Sequence, residues 1–73
     1  MQYDKIGKFI KDKRNKLGLT LNKFCFSNDL EPAMLSRIEN QKQDIKLCSL
    51  YKIAKGFDTT PAKLLTEFEN LDK

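Results

Sequence analysis

A chain of 73 residues, 40% of them hydrophobic, holds one domain with one compact core, close to the lower limit for folding without staples. Its two cysteines are too few for a disulfide framework, and with no histidine in the chain there is no metal-ligating cluster and no nucleophile–base pair, which argues against an enzyme and against a cofactor. The formal net charge of +4 is unevenly spread: residues 1–55 hold twelve Lys/Arg against six Asp/Glu, and residues 56–73 hold two against four.

Hydrophobic spacing is helical along nearly the whole chain, with no internal repeat and no period-two alternation, so the expected class is all-α. Ile6, Phe9, Ile10, Lys13 and Leu17 share one face, and Gly18 follows as a stop, which predicts a helix over about 3–17. Thr20 suits an N-cap for a short helix over 20–27, with Leu21, Phe24 and Cys25 inward. Asn28 and Asp29 tolerate a left-handed turn, and Leu30 should plug inward from it. Glu31 is a weak cap, but Pro32 suits a first turn, so a third helix is expected over 32–39 with Met34, Leu35 and Ile38 buried. Ala33, Ser36, Arg37 and Lys42 point elsewhere, and Asn40–Asp44 reads as a polar loop. A fourth helix over 46–55 should bury Leu47, Leu50, Ile53 and Ala54, end at Gly56 and let Phe57 pack back. Thr60-Pro61 opens a fifth over 61–69, with Leu64, Leu65 and Phe68 apolar.

The sum is a five-helix bundle, one domain over 1–73, with the last few residues expected to be disordered. Cys25 and Cys48 are read as small buried hydrophobes in a reducing compartment rather than as metal or redox groups. No signal-peptide pattern and no bilayer-length apolar run occur, so a soluble cytoplasmic protein with no membrane partner is expected.

Two short helices joined by a tight turn, the second polar on its outside, describe a helix-turn-helix. Such a second helix must be slim enough to enter the major groove and must present side chains to base edges. Ala33 and Ser36 are short enough, and Arg37 is of the type that most often reads guanine. A basic body suits a polyanion such as DNA, although the same charge can simply solubilise.

Several stretches carry a resemblance. Arg14-Asn15-Lys16-Leu17-Gly18-Leu19-Thr20 has an arginine near the end of helix 1, then a glycine and a capping hydroxyl. Leu35-Ser36-Arg37-Ile38-Glu39-Asn40 has small or polar residues before Ile-Glu-Asn, and Leu50-Tyr51-Lys52-Ile53-Ala54-Lys55-Gly56-Phe57 has leucine, then Lys-Ile-Ala and an apolar residue. In register, residues 14–57 resemble the phage-repressor-type helix-turn-helix family, also called Cro-like or XRE (xenobiotic-response-element), and the likeness extends to about residue 65. It implies a lambda-repressor-like DNA-binding domain with its helix-turn-helix at the second and third helices. It also implies a transcriptional regulator acting on double-stranded DNA as a homodimer on a two-fold operator.

By that resemblance Arg14 and Glu39 form an ion pair clamping helix 1 to the end of the recognition helix; the alternative is two solvated side chains. Thr20, Leu21 and Asn22 would meet phosphate. Glu31, Pro32, Ala33, Ser36 and Arg37 would face bases, and Asn40, Gln41 and Lys42, with Lys46, would meet the DNA backbone. Three positions depart from the family: Leu21 stands where glutamine is common, Asp29 replaces the turn glycine, and Glu31-Pro32-Ala33 offers little hydrogen bonding to bases. Direct readout therefore rests mainly on Arg37, with DNA shape contributing the rest.

Helix 5 is the candidate dimer interface through Leu64, Phe68 and Leu71, unless these residues only close the core. The size resembles the small controller proteins of restriction–modification systems and the short phage repressors. A dimer near a promoter either blocks RNA polymerase or touches it. The competing reading is a protein-interaction module, such as an antitoxin or anti-repressor, that keeps the fold with weak DNA binding.

Overall fold

The computed structural model describes residues 5–71, in which five helices follow one another without a strand: α1 (Ile6–Lys16), α2 (Leu21–Ser27), α3 (Pro32–Glu39), α4 (Leu47–Gly56) and α5 (Pro61–Asn70). The expected helix start at residue 3 lies outside the described residues, and so does residue 72–73 of the tail expected to be disordered.

The two threonine caps form. The hydroxyl oxygens of Thr20 and Thr60 each accept the backbone N–H three residues on, from Lys23 and Lys63, both at 3.2 Å. Each bond satisfies one of the N–H groups that a helix start leaves without a partner. Glu31 makes no side-chain cap, and Pro32 opens α3 instead, where its missing N–H costs nothing.

Four helices end in the same left-handed turn. The positive-φ residues Gly18 (71°), Asp29 (55°), Gln41 (63°) and Asp58 (57°) follow α1, α2, α3 and α4. In each case the next backbone N–H returns to a carbonyl in the last turn: Leu19 to Arg14 at 3.3 Å, Leu30 to Cys25 at 2.9 Å, Lys42 to Arg37 at 2.8 Å and Thr59 to Ala54 at 3.0 Å. This turn satisfies orphan carbonyls and redirects the chain sharply. Helix 4 is therefore stopped by Asp58. Gly56, expected to end it, is its last helical residue, and a Cβ there would lie 2.8 Å from Phe24 Cζ.

The core is contiguous, with Phe24, Ile10, Leu35, Ile38, Ile53 and Leu64 as its largest fully buried side chains. Tilted aromatic pairs join distant elements: Phe9–Phe68 at 5.4 Å between α1 and α5, and Phe24–Phe57 at 4.9 Å between α2 and the end of α4. Lys13, counted on the buried face of α1, lays its stem along this apolar surface. Its ammonium lies 5.6 Å from the Phe57 ring centre and 2.8 Å from Glu67.

Three apolar expectations are corrected. Leu17 is exposed because α1 ends at Lys16 and the Gly18 turn sends Leu19 to the core in its place. Leu47 is 69% exposed, since the buried stripe of α4 is Ser49, Leu50, Ile53 and Ala54. At 100° per residue Leu47 lies roughly a quarter-turn from the centre of that stripe. Cys48 falls on the opposite side and is exposed, so only Cys25 is a buried cysteine. Burial pushes the Cys25 thiol above its ordinary pKa, which keeps it protonated and inert.

Helix α3 is the common support, with α1 and α2 both packed on it. Gly7 permits the α1 contact: a Cβ there would collide with the Ile38 carbonyl, and Glu39 Cα would lie 3.2 Å away. Helix propensity favours alanine over glycine by about 1 kcal/mol in a helix interior, whereas forcing a Cβ into unyielding backbone costs about 2–3 kcal/mol, the upper part of the overpacking range. Gly7→Ala is expected to destabilise the protein by about 1–2 kcal/mol net, a fall of several degrees in Tm; an unchanged or higher Tm by circular dichroism would mean that α1 does not approach α3 this closely.

Candidate nucleic-acid interface

Helix α3 has two chemically distinct sides. Leu35, Ile38 and Glu39 are buried and Met34 is half-buried. Glu31, Pro32, Ala33 and Arg37 are exposed, while Ser36 is half-buried rather than fully turned to solvent. The Ser36 carbonyl accepts from Asn40 Nδ2 at 2.9 Å, and its hydroxyl oxygen lies 3.5 Å from the same group. Asn40 thus folds back over the end of α3 as its C-cap. Arg37 Nε donates to Gln43 Oε1 at 2.7 Å. Gln43 carried no signal in the sequence beyond its place in a polar loop.

The inner end of α3 is held by charge. Arg14 Nε donates to Glu39 Oε2 at 2.8 Å and Nη2 to Oε1 at 2.9 Å, a bidentate pair in which each residue is only 6% exposed. Nη1 donates to the Leu19 carbonyl at 2.7 Å. One guanidinium therefore ties together α1, the turn that follows it and the end of α3. The hydrogen bonds to Glu39 raise the Arg14 pKa above its ordinary value, outweighing the desolvation that acts the other way.

Of the remaining residues marked for DNA, Thr20 and Asn22 are exposed at the start of α2, and Leu21 is half-buried against the core. Asn40, Gln41, Lys42 and Lys46 are all exposed along the α3–α4 loop and the cap of α4. Lys46 shares a cleft of 430 Å³ with Glu31, Met34 and Lys52, which brings the start of α3 beside the start of α4. Asp29 keeps its carboxylate 97% exposed. Lys52 Nζ donates to its carbonyl at 3.0 Å and to its carboxylate at 3.4 Å, so the departure from glycine is matched by a local cation.

The expected dimer residues divide. Leu64 is fully buried and Phe68 is 3% exposed. Both are core residues of one chain, Phe68 against Phe9, and neither offers a surface to a partner. Leu71, beyond the end of α5, is 64% exposed. No helix among the described residues is long and apolar enough to cross a membrane.

Comparison with known proteins gives two likenesses. The family model HTH_3, helix-turn-helix, matches residues 10–64. The crystal structure of an HTH_3 family transcriptional regulator from Vibrio cholerae aligns with a TM-score of 0.80 at 25% identity, covering 94% of this chain and 39% of that one. The chain thus spans well under half the length of that regulator. No curated protein matches the chain.

The clamp makes a two-part prediction. Arg14→Ala or Glu39→Ala leaves one buried charge without its partner, and either should cost about 3–5 kcal/mol. Arg14→Met combined with Glu39→Leu removes both charges and should recover most of that loss. Urea unfolding would measure all three, and single variants within about 1 kcal/mol of wild type would show that the pair does not restrain the fold.

Proposed function

The chain belongs to the HTH_3 helix-turn-helix family, and from that premise we propose that it is a sequence-specific double-stranded DNA-binding regulator of transcription whose helix α3 enters the major groove. The observation that carries this is the outer side of α3, where Arg37 stands exposed beside the short residues Ala33 and Pro32 while the inner side is anchored in the core. A helix in this setting is slim at its front and fixed at its back, as groove entry demands.

Arg37 is the base-reading residue, with Ser36 at the edge of the contact and Glu31, Pro32 and Ala33 lining the front. Thr20, Asn22, Asn40, Gln41, Lys42 and Lys46 are phosphate or sugar contacts, which position the helix without reading sequence. Leu21 meets DNA at most through its main chain, because its side chain packs on the core. The twelve Lys/Arg against six Asp/Glu in residues 1–55 favour association with a polyanion.

Residues 1–73 act as one domain, and two copies act together. A single eight-residue recognition helix contacts one half-site, and two-fold dimers contact two, about one helical turn apart. With Leu64 and Phe68 committed to the core, Leu71 is what remains of the helix 5 contact, and further exposed apolar area lies at Leu47 and Tyr51 on α4. Occupancy is then set by protein concentration through mass action.

Binding to a duplex selected from random DNA should weaken steeply with salt, since each phosphate contact contributes a slope of about −0.9 in log K against log salt. Lys42→Ala should lower that slope by about one and weaken all duplexes alike. Arg37→Ala should reduce preference for the selected duplex by roughly 5- to 150-fold, the worth of a bidentate base contact. Equal losses on selected and random DNA would remove Arg37 from base reading, and shallow, weak binding to every duplex would favour a protein-interaction module instead. Light scattering at micromolar concentration should report a dimer that Leu71→Asp shifts toward monomer; a wild-type monomer both in solution and on the selected duplex would count against the two-fold arrangement.

A further inference from the structure

Arginine can read a guanine only if its guanidinium reaches the base in one orientation, and its flexible stem works against that. In this chain the side chain of Arg37 is not free. Its Nε donates to Gln43 Oε1 at 2.7 Å, and the main-chain carbonyl of Arg37 accepts from the Lys42 N–H at 2.8 Å, closing the turn that carries Gln43. The left-handed residue Gln41, at φ 63°, turns the chain back along the last turn of α3 and brings Gln43 opposite Arg37. Gln43 is itself half-buried, lining an open cavity with Ile38, Leu50, Gln41 and Asp44, while its bond to Arg37 lies at the exposed surface. Only the oxygen of the Gln43 amide can face an arginine N–H, so the orientation of that amide is set by chemistry.

Resting on the DNA-binding function proposed above, we infer that Gln43 is a positioning residue that fixes the Arg37 guanidinium so that its two Nη groups point outward for bidentate contact with a guanine. Nε is the one guanidinium nitrogen engaged by Gln43, and the four Nη hydrogens stay available. Two of them, one on each nitrogen, match the O6 and N7 acceptors that guanine presents in the major groove. Part of the ordering that binding requires is then done in the free protein, which raises preference for the right sequence more than overall affinity. Gln43 touches no base in this arrangement; it sets sequence preference through Arg37.

The test uses a duplex selected by the wild-type protein from a random library, the same duplex with 7-deazaguanine at each guanine in turn, and a random duplex. The wild type should lose roughly three- to tenfold affinity at one 7-deazaguanine position, where one of two acceptors is gone, and Arg37→Ala should lose nothing further there. Gln43→Met keeps the shape and removes the acceptor. It should lower the selected-to-random ratio about two- to tenfold, blunt the 7-deazaguanine effect, and leave binding to random DNA and Tm unchanged. Gln43→Glu restores an acceptor and should restore the ratio, even as its negative charge weakens binding to both duplexes. If Gln43→Met keeps the wild-type ratio while Arg37→Ala lowers it, Gln43 has no positioning role and the DNA-binding function stands. If Gln43→Met weakens selected and random DNA equally, Gln43 serves a phosphate contact or the fold, and the inference fails. If the wild type senses no guanine at all, base reading by Arg37 fails with it.

Discussion

Everything on the outer surface of α3 depends on how its inner end is held, and that is done by a buried charge pair beside a glycine. Arg14 and Glu39, both buried, form two hydrogen bonds of 2.8 and 2.9 Å. A buried pair of this kind contributes little net stability, because desolvation offsets most of the attraction. What it supplies is geometry: two planar groups matched edge to edge tolerate little rotation. Gly7 complements the pair by letting the α1 backbone come close to Ile38 and Glu39. Together they set the height and angle at which α3 stands on α1.

The loops extend the same principle with backbone chemistry. A left-handed residue follows each of the first four helices, and each turn is closed by a backbone hydrogen bond. Short, internally bonded turns leave few ways for α2 and α3 to move relative to each other. Lys52 adds a side-chain link from α4 to the turn between them, through Asp29; this exposed contact is worth little as an ion pair but serves the turn carbonyl as well as the carboxylate. A small domain with one core can thus present its exposed helix on short, internally bonded turns.

The elements themselves were legible because their signals are local. Thr20 and Thr60 act as caps and Pro32 and Pro61 sit in first turns as side-chain chemistry alone suggests. Asp29 takes the turn conformation that few residues other than glycine accept. The misplaced residues share a different cause. Leu17 and Leu47 are apolar and near the right phase, but one lies past a helix end and the other at the margin of a buried stripe. Cys48 suits the interior by residue type, although its helical phase points it outward. Ser49, small and polar, is buried with its hydroxyl 3.5 Å from Met34 Sδ; its phase on α4, not its polarity, carried that information.

The class, the order of helices, the placement of the turn between α2 and α3, and the residue types along α3 are all written in the local sequence, since each follows from propensity, capping and periodicity within about ten residues. Tertiary structure alone decided which apolar residues are left for a partner: Leu64 and Phe68 are consumed by the core, Phe68 by a ring on the first helix, while Leu71 is not. It also decided that Arg37 is met by Gln43, six residues away across a reversal of the chain. Both outcomes depend on where a side chain lies relative to another element, and helical phase records direction around one axis only, not what stands opposite.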